Sequence, residues 1–270
     1  MNRRSFLGAV SAAALSAAQP KESALSRPKV QGTLTLRARS RENGKPVERA
    51  LRWNVAQTSI IICDMWDKHW CRGATARVGP LAAKAAPVIA KAREKGVLII
   101  HAPSETMTAY AETPQRRAIA TLEKIAPPPA REIDAPKLPI DDSDGGCDTT
   151  GDSFYKAWTK QHPGIPMDPR DLISDQGAEV YTALKLRGID TLLVMGVHTN
   201  MCILNRTFAI KQMTRWGMRC ILLRDLTDAM YDPQDKPFVS HDQGTALVVE
   251  HIEKYWAPST LSTQLTQALR

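Results

Sequence analysis

Apolar residues follow two patterns along the chain, short continuous runs and helical periodicities. The continuous runs, which are typical of strands buried on both faces of a parallel sheet, cover 58–63, 97–100, 191–195 and 219–223. The helical periodicities cover 80–95, 178–187, 201–216 and 244–255. Ile173 marks one further short strand. Because strands and helices alternate at short spacing, the sequence predicts an α/β fold: a doubly wound parallel sheet of about five or six strands with helices on both faces.

The same patterns divide the chain into segments. Residues 30–39 alternate between apolar and polar, as in a half-buried strand, and the Pro- and Asp-rich stretch 104–165 interrupts the helical rhythm. A stretch of that length without regular structure is usually functional or mobile, and we expect it to cover the sheet edge or the active site. The predicted organisation is a signal peptide at 1–18, a leader with an edge strand at 19–57, a main domain at 58–257 containing the insertion, and a polar tail at 258–270.

The first eighteen residues resemble an export signal. Arg3 and Arg4 precede Phe6 and Leu7, and small and apolar residues follow up to Ala18. Charged residues, a short apolar run and small residues before a cleavage site are typical of a signal peptide. The paired arginines resemble a twin-arginine signal, which implies bacterial export of a folded protein; an ordinary secretory signal is the alternative. We expect a periplasmic or other extracytoplasmic location, with no membrane span after removal, because the apolar run is too short to cross a bilayer.

Composition narrows the class of protein. Apolar residues make up 43% of the chain and charged residues 24%, which is normal for a soluble globular domain. The formal net charge of +8 is modest, and no Lys/Arg stripe is interleaved with aromatic residues, so we expect no nucleic-acid partner. A basic surface could still attract anionic substrates.

Five cysteines follow the signal segment, and they differ in their surroundings. Cys71 and Cys147 occupy polar, loop-like stretches and could form a disulfide in an oxidising compartment. Cys63 and Cys220 lie in apolar runs and are expected to be buried and inert. Neither a disulfide nor burial in an apolar run accounts for Cys202, so this thiol needs another explanation.

Cys202 ends the sequence Gly-Val-His-Thr-Asn-Met-Cys at 196–202, between an apolar strand and a helix. Ligands of α/β sheets bind at the carboxyl ends of strands. The positive end of a helix favours a thiolate, which is the nucleophilic form. The backbone N–H groups of Met201 and Cys202 could hold a developing oxyanion. The alternative is a small buried cysteine in a strand-to-helix turn.

Asp64 directly follows the first buried strand. A carboxylate there is costly to bury without a partner, and at the carboxyl edge of the sheet it could exchange a proton with the thiol. The alternative is a helix-capping or loop acid.

Together these two segments resemble the isochorismatase-like cysteine hydrolases, a family that includes nicotinamidases. The likeness runs from about Thr58 to Leu223 and rests on strand-Asp-Met near the start and Gly-Val-x-Thr-x-x-Cys after a later strand. It implies a three-layer α/β fold and a triad of Asp, Lys and Cys. Asp64 would then be the acid/base, and Cys202 the nucleophile that forms a thioester or related adduct. The resemblance also implies a non-proline cis peptide at Val197–His198, and assembly into homo-oligomers stays open because relatives assemble.

The triad lysine is missing from its expected position, since 171–177 reads Asp-Leu-Ile-Ser-Asp-Gln-Gly. Without a cation, the pKa of the thiol should be less depressed. Candidates for a replacement cation are Arg206 and Lys160, followed by Lys156, His198 and His101.

Two sets of residues suggest binding. Asp, His and His would suit zinc, which makes a metal site of Asp67, His69 and His101 a hypothesis, although single histidines more often serve as hydrogen-bond partners. No cofactor is required by the expected chemistry. The residues expected to line a substrate pocket are Trp66, His101, His198 and Thr199.

The favoured function is hydrolysis of a small-molecule amide or related C–N bond by Cys202, in an exported protein. The missing lysine keeps open a non-catalytic small-molecule binding protein on the same fold, and the histidines keep open a metal-assisted hydrolase. The substrate itself cannot be inferred from the fold.

Overall fold

The computed structural model describes residues 31–270, so the predicted signal peptide lies outside the described residues. The strands are β1 (Thr33–Glu42), β2 (Lys45–Asn54), β3 (Thr58–Cys63), β4 (Leu98–Ala102), β5 (Leu172–Ile173), β6 (Thr191–Val197), β7 (Arg219–Asp228) and β8 (Ser259–Thr260). The helices are α1 (Arg72–Glu94), α2 (Pro114–Ala120), α3 (Gly177–Leu186), α4 (Cys202–Asn205), α5 (Ile210–Arg215), α6 (His241–Tyr255) and α7 (Ser262–Ala268).

All eight strands form one sheet in the order β2-β1-β8-β7-β6-β3-β4-β5. The strands from β8 to β5 pair in parallel, whereas β1 pairs antiparallel with both β2 and β8. The predicted doubly wound α/β fold is therefore confirmed. The sheet has more strands than the predicted five or six because the hairpin of β1 and β2, together with the short β8, extends one edge.

Hydrophobic cores cover both faces of the sheet. Ile61 and Val194 pack on one face with α2 to α6, while Ile60, Ile62 and Leu193 pack on the other with α1 and α7. Successive residues of a strand point to opposite faces, and a strand buried on both sides therefore appears in the sequence as a continuous apolar run. Among residues 31–270, no helix combines the length and the apolar character needed to cross a membrane.

The amino-terminal hairpin is fastened to the domain by a buried carboxylate. Leu34 and Leu36 are buried, as the alternating pattern predicts. Glu253 of α6, whose side chain is fully buried, accepts hydrogen bonds from Arg39 Nε at 2.8 Å and Arg41 Nε at 3.0 Å. The edge of the sheet is thus tied to α6 by an ion-paired cluster.

Two segments differ from their predicted structure. Residues 258–270, predicted as a polar tail, form β8 and α7, because Leu265 and Leu269 lie four residues apart and pack into the core. The predicted helix over 201–216 is two short helices. Arg206 has extended backbone angles (φ −62°, ψ 149°) that end α4, while the buried Phe208 and Ala209 continue the apolar pattern across the break.

The insertion covers both the edge of the sheet at β5 and the carboxyl ends of the central strands. It contains α2, which packs against β5 at the sheet edge and against α3. It then runs without regular structure and returns over the carboxyl edge, where the Trp158 ring stacks on the Trp66 ring. A disulfide between Cys71 and Cys147 fixes it to the start of α1, as the sequence suggested.

We expect Glu253→Ala to lower the free energy of unfolding by about 1–3 kcal/mol, because Arg39 loses its carboxylate partner and Arg41 keeps only the half-exposed Glu250. Glu250→Ala is the matched control: Glu250 also pairs with Arg41, but its side chain is 47% exposed, so its loss should cost less than about 1 kcal/mol. Denaturant unfolding measures both, and equal effects would contradict the structural role of Glu253.

Candidate functional site

Asp64 lies at the carboxyl end of β3 and is fully buried. Its backbone adopts a left-handed conformation with φ 45°, which is uncommon for a residue other than glycine. Its Oδ1 accepts a hydrogen bond from the Ser104 N–H at 2.7 Å, and its Oδ2 accepts one from Arg206 Nε at 2.9 Å. The carboxylate therefore has the partners that a buried charge requires.

Arg206 provides the cation that the sequence pattern lacked. The break after α4 turns its side chain back toward the end of β3, where the guanidinium pairs with Asp64 and, through Nη2 at 3.3 Å, with Glu105. The guanidinium carbon also lies 6.0 Å from the centre of the Trp66 ring. Burial lowers the pKa of Arg206, but the negative charge of Asp64 opposes this and helps to hold that pKa above its ordinary value, so this cation is permanent.

Cys202 is the first residue of α4 and lies against the same carboxylate. Burial raises the pKa of its thiol well above the ordinary value, the charge of Asp64 raises it further, and Arg206 opposes this rise. The expectation that the sulfur is anionic at rest is therefore wrong. The four-residue α4 is too short to contribute much of a helix dipole, and desolvation outweighs it.

The pKa of Asp64 is also raised by burial, while Arg206 and the hydrogen bonds from Cys202 and Ser104 hold it down. A carboxylate with a raised pKa is a stronger base than an exposed one. A protonated thiol and a basic carboxylate therefore lie next to each other at the end of β3.

The turn before Cys202 is held by the ends of neighbouring strands. The peptide bond Val197–His198 is cis, as the resemblance implied. A side chain at Gly196 would overlap the Cys63 carbonyl oxygen, so only glycine fits beside β3. Thr199, predicted to line the pocket, instead binds Thr227 through the two hydroxyl oxygens at 2.7 Å, and is a buried support of the turn.

The N–H groups of this turn are not equally available. The Met201 N–H, predicted to hold an oxyanion, donates to the His198 carbonyl at 3.0 Å. Within residues 31–270, the Cys202 N–H donates to no group. The backbone of His198 lowers the pKa of the Cys202 thiol. The backbone of His198 and Cys202, rather than that of Met201, therefore faces the reacting sulfur.

Stacked aromatic rings surround this centre. The Trp66 and Trp158 rings are parallel with centres 4.4 Å apart, and the His69 ring stacks 5.7 Å from Trp158 and meets the His198 ring edge-on at 4.9 Å. Burial lowers the pKa of His69 to about 4 and that of His198 to about 3, with nearby positive charges adding to the effect. Both imidazoles are therefore neutral at physiological pH.

Two openings adjoin this aromatic group. An inner pocket of about 10 Å³ is lined by residues that include Asp64, Trp66, His69 and His198. An outer cavity of about 540 Å³ lies between the start of α1 and residues 151–155 of the insertion. Lys68, His69 and Thr75 line both openings, so they form the partition between them.

The proposed metal ligands do not converge. The Asp67 carboxylate accepts hydrogen bonds from Thr159, and the buried His101 ring binds Gln161 and Asp171, each at 2.9 Å. His101 therefore supports the insertion rather than a metal or the substrate pocket. In the described part of the chain, the one group with suitable metal-ligating spacing is Cys71, Cys147 and Asp148, and its two cysteines form the disulfide.

The other candidate cation is placed elsewhere. Lys160 is exposed, and its backbone pairs with Asp67; no ion pair joins its ammonium to Asp64 among residues 31–270. Ser104 and Glu105 belong to the site but were not singled out in the sequence. Their position in the sequence could have indicated this. They follow β4, which pairs with β3, so they lie at the same sheet edge as Asp64.

Comparison with solved structures shows the same fold. A cysteine hydrolase from Pseudomonas syringae pv. phaseolicola matches 80% of this chain and 94% of its own, with 16% identity and a TM-score of 0.52. An isochorismatase from Pseudomonas putida matches 78% of this chain and 91% of its own, with 14% identity and a TM-score of 0.48. No protein-family profile and no curated protein sequence matches. The chain thus has the three-layer α/β fold of that cysteine hydrolase.

We expect Asp64→Asn to accelerate alkylation of Cys202 by iodoacetamide at neutral pH by about tenfold or more. The charge of Asp64 raises the pKa of the thiol, and each pKa unit changes the thiolate fraction about tenfold. Mass spectrometry of the labelled peptide measures the rate at Cys202, and Asp64→Asn combined with Cys202→Ser is the control. Slower alkylation would show that Asp64 activates the thiol already in the free protein.

Proposed function

We propose that this protein is a hydrolase of small-molecule amides or related C–N bonds, with Cys202 as nucleophile, Asp64 as proton carrier and Arg206 as the cation of the site. The observation that carries the proposal is the 2.9 Å bond from Arg206 Nε to Asp64 Oδ2, with the Cys202 thiol against the same carboxylate. A buried acid, thiol and cation at the carboxyl edge of a parallel sheet form a catalytic arrangement, and the resemblance of the sequence to isochorismatase-like hydrolases supports it.

The reaction begins with a proton transfer. As the sulfur attacks the amide carbon, its proton moves to Asp64 and a C–S bond forms. The N–H groups of His198 and Cys202 stabilise the oxyanion. The C–N bond then breaks, and Asp64 returns the proton to the departing nitrogen, which leaves an acyl thioester. Water then attacks the thioester carbon: a C–O bond forms, one water proton moves to Asp64, the C–S bond breaks, and Asp64 passes the proton to the sulfur, which regenerates the thiol and releases the acid.

Arg206 has two effects in this sequence of steps. Its charge lowers the pKa of Asp64 and that of Cys202, so it keeps the carboxylate ionised at rest and stabilises the thiolate as it forms. A lysine at the family position would supply the same charge. Here the cation comes from the nucleophile's own turn, four residues after Cys202.

The test of the function is ammonia release from a panel of primary amides and ureides. We expect turnover by the wild type and none above background with Cys202→Ser. The serine hydroxyl is a much weaker acid than a thiol, so Asp64 cannot remove its proton to the same extent. If the wild type binds panel members without hydrolysing any, the non-catalytic binding protein replaces this proposal.

We expect Arg206→Met to reduce kcat by about 100-fold or more, a loss of the size found for proton-transfer groups, and Arg206→Lys to retain more activity. The acid limb of the pH–rate profile should also move to higher pH in Arg206→Met. Asp64 must be ionised to accept the thiol proton, and losing the nearby cation raises its pKa.

Arg215→Met is the matched control, since Arg215 makes a similar contact with the Trp256 ring, at 5.4 Å, away from the site. An unmoved acid limb in Arg206→Met would contradict the proposed electrostatic role, whatever the effect on kcat.

We also propose that the protein is exported. The arginine-containing segment at the start of the sequence supports this, and so does the Cys71–Cys147 disulfide, because such bonds persist mainly in oxidising compartments. Fractionation of cells that produce the full chain, with detection of the shortened mature form, tests export independently of activity.

A further inference from the structure

The turn before the nucleophile rests on the end of β7 and the residues after it, 227–231, which form the support segment. The Thr199 N–H donates to the Asp228 carbonyl at 2.9 Å. The buried Asn200 side chain accepts from the Met230 N–H at 2.8 Å and donates to the Met230 carbonyl at 2.9 Å. The position of the turn therefore depends on that of the support segment.

His241, the first residue of α6, contacts the support segment at two points. Its Nδ1 lies 2.9 Å from the Tyr231 carbonyl oxygen, and its Nε2 lies 2.8 Å from Asp228 Oδ1. The side chain is 15% exposed, so the imidazole is largely enclosed between these partners. One ring thus bridges the residues on either side of Met230, which binds the turn.

The two contacts together require a proton on each ring nitrogen. A carbonyl oxygen can only accept a hydrogen bond, and so can an ionised carboxylate. Burial opposes ionisation of Asp228, but His241 and Arg77, whose Nε donates to Oδ2 at 2.9 Å, lower the pKa of that carboxyl group. A neutral imidazole has a single N–H and could make only one of the two bonds. The geometry therefore indicates an imidazolium.

The charges around the ring favour the same form. Burial alone would lower the pKa of His241, but Asp228 raises it above the ordinary value of 6.5. Arg77 opposes this rise, while the Asp148 carboxylate of the insertion lies 3.9 Å from Nδ1. His198 is also an electrostatic neighbour, but burial lowers its pKa to about 3, so its charge does not change near neutral pH.

We propose that His241, as an imidazolium, is a positioning residue that clamps the support segment and so fixes the turn that carries Cys202. This inference rests on the proposed function. When the ring gives up a proton to solvent, one of its two bonds is lost. The clamp is complete below pH 6.5, the ordinary pKa of histidine, and is lost as the pH rises through the raised pKa of His241.

Hydrogen exchange followed by NMR tests the clamp without turnover, with the Thr199 and Met230 amides as reporters. At about pH 6 we expect His241→Gln to speed their exchange by about tenfold or more, the size of a lost charge-assisted hydrogen bond. Glutamine carries its donors on one nitrogen and can make one of the two bonds, as a neutral ring does. After correction for intrinsic rates, wild type should therefore approach the variant as the pH rises, whereas a purely structural role predicts a constant difference.

His251→Gln is the matched control. His251 is also a histidine of α6 and is 7% exposed, but its ring contacts Tyr255, so exchange in the turn should be unchanged at every pH. If His241→Gln does not fold, nitrogen-15 NMR of the wild-type imidazole provides the test. Two N–H groups are expected at pH 6.5, the ordinary pKa, and a neutral ring at that pH would overturn the clamp.

Activity provides the second readout. For an amide that the wild type hydrolyses, kcat of His241→Gln should be about tenfold or more below wild type near pH 6, and the two values should converge at alkaline pH. Faster exchange with an unchanged kcat would contradict the positioning role, and so would a difference in exchange that does not vary with pH. Absence of hydrolysis by the wild type would instead overturn the proposed function, since the exchange measurements need no substrate.

Discussion

The ion pair between Asp64 and Arg206 is the interaction on which the site depends. A carboxylate at the end of β3 is fully buried, and an unpaired charge there would be strongly destabilising. Arg206 compensates for it from a break between two helices: its extended backbone ends α4, and a second helix begins only at Ile210. The charge balance at the end of β3 therefore depends on one contact.

That contact also bears on how a buried thiol could act in the proposed reaction. Desolvation and the nearby carboxylate raise the pKa of Cys202, and Arg206 only partly offsets them, so the resting state is a neutral thiol beside a basic carboxylate. In the proposed reaction, the nucleophile is generated by proton transfer from Cys202 to Asp64. A neutral thiol is also less open to indiscriminate chemistry, because low-pKa thiols react more readily.

The insertion shapes access to this chemistry. The disulfide to Cys71 and the bonds from Thr159 to Asp67 fasten it at two points, and between them Trp158 covers Trp66 while residues 151–155 border the outer cavity. The reacting groups come from the rigid sheet edge, whereas the walls around them come from a segment without regular structure. Such a division allows the substrate to differ from that of other proteins with the same fold.

The sequence by itself determined the sheet, the alternation of strands and helices, and the placement of Asp64 and Cys202 at strand ends, because burial on both faces imposes continuous apolar runs that can be read locally. It could not reveal that Arg206 replaces the lysine, since an apolar pattern across Phe208 conceals the break that turns Arg206 inward. Nor could it separate His101, which supports the insertion through Gln161 and Asp171, from His198 in the turn before Cys202. Those distinctions depend on which distant side chains meet in space. They also depend on how far burial outweighs nearby charges in setting the pKa of each group. Only the tertiary structure decides both.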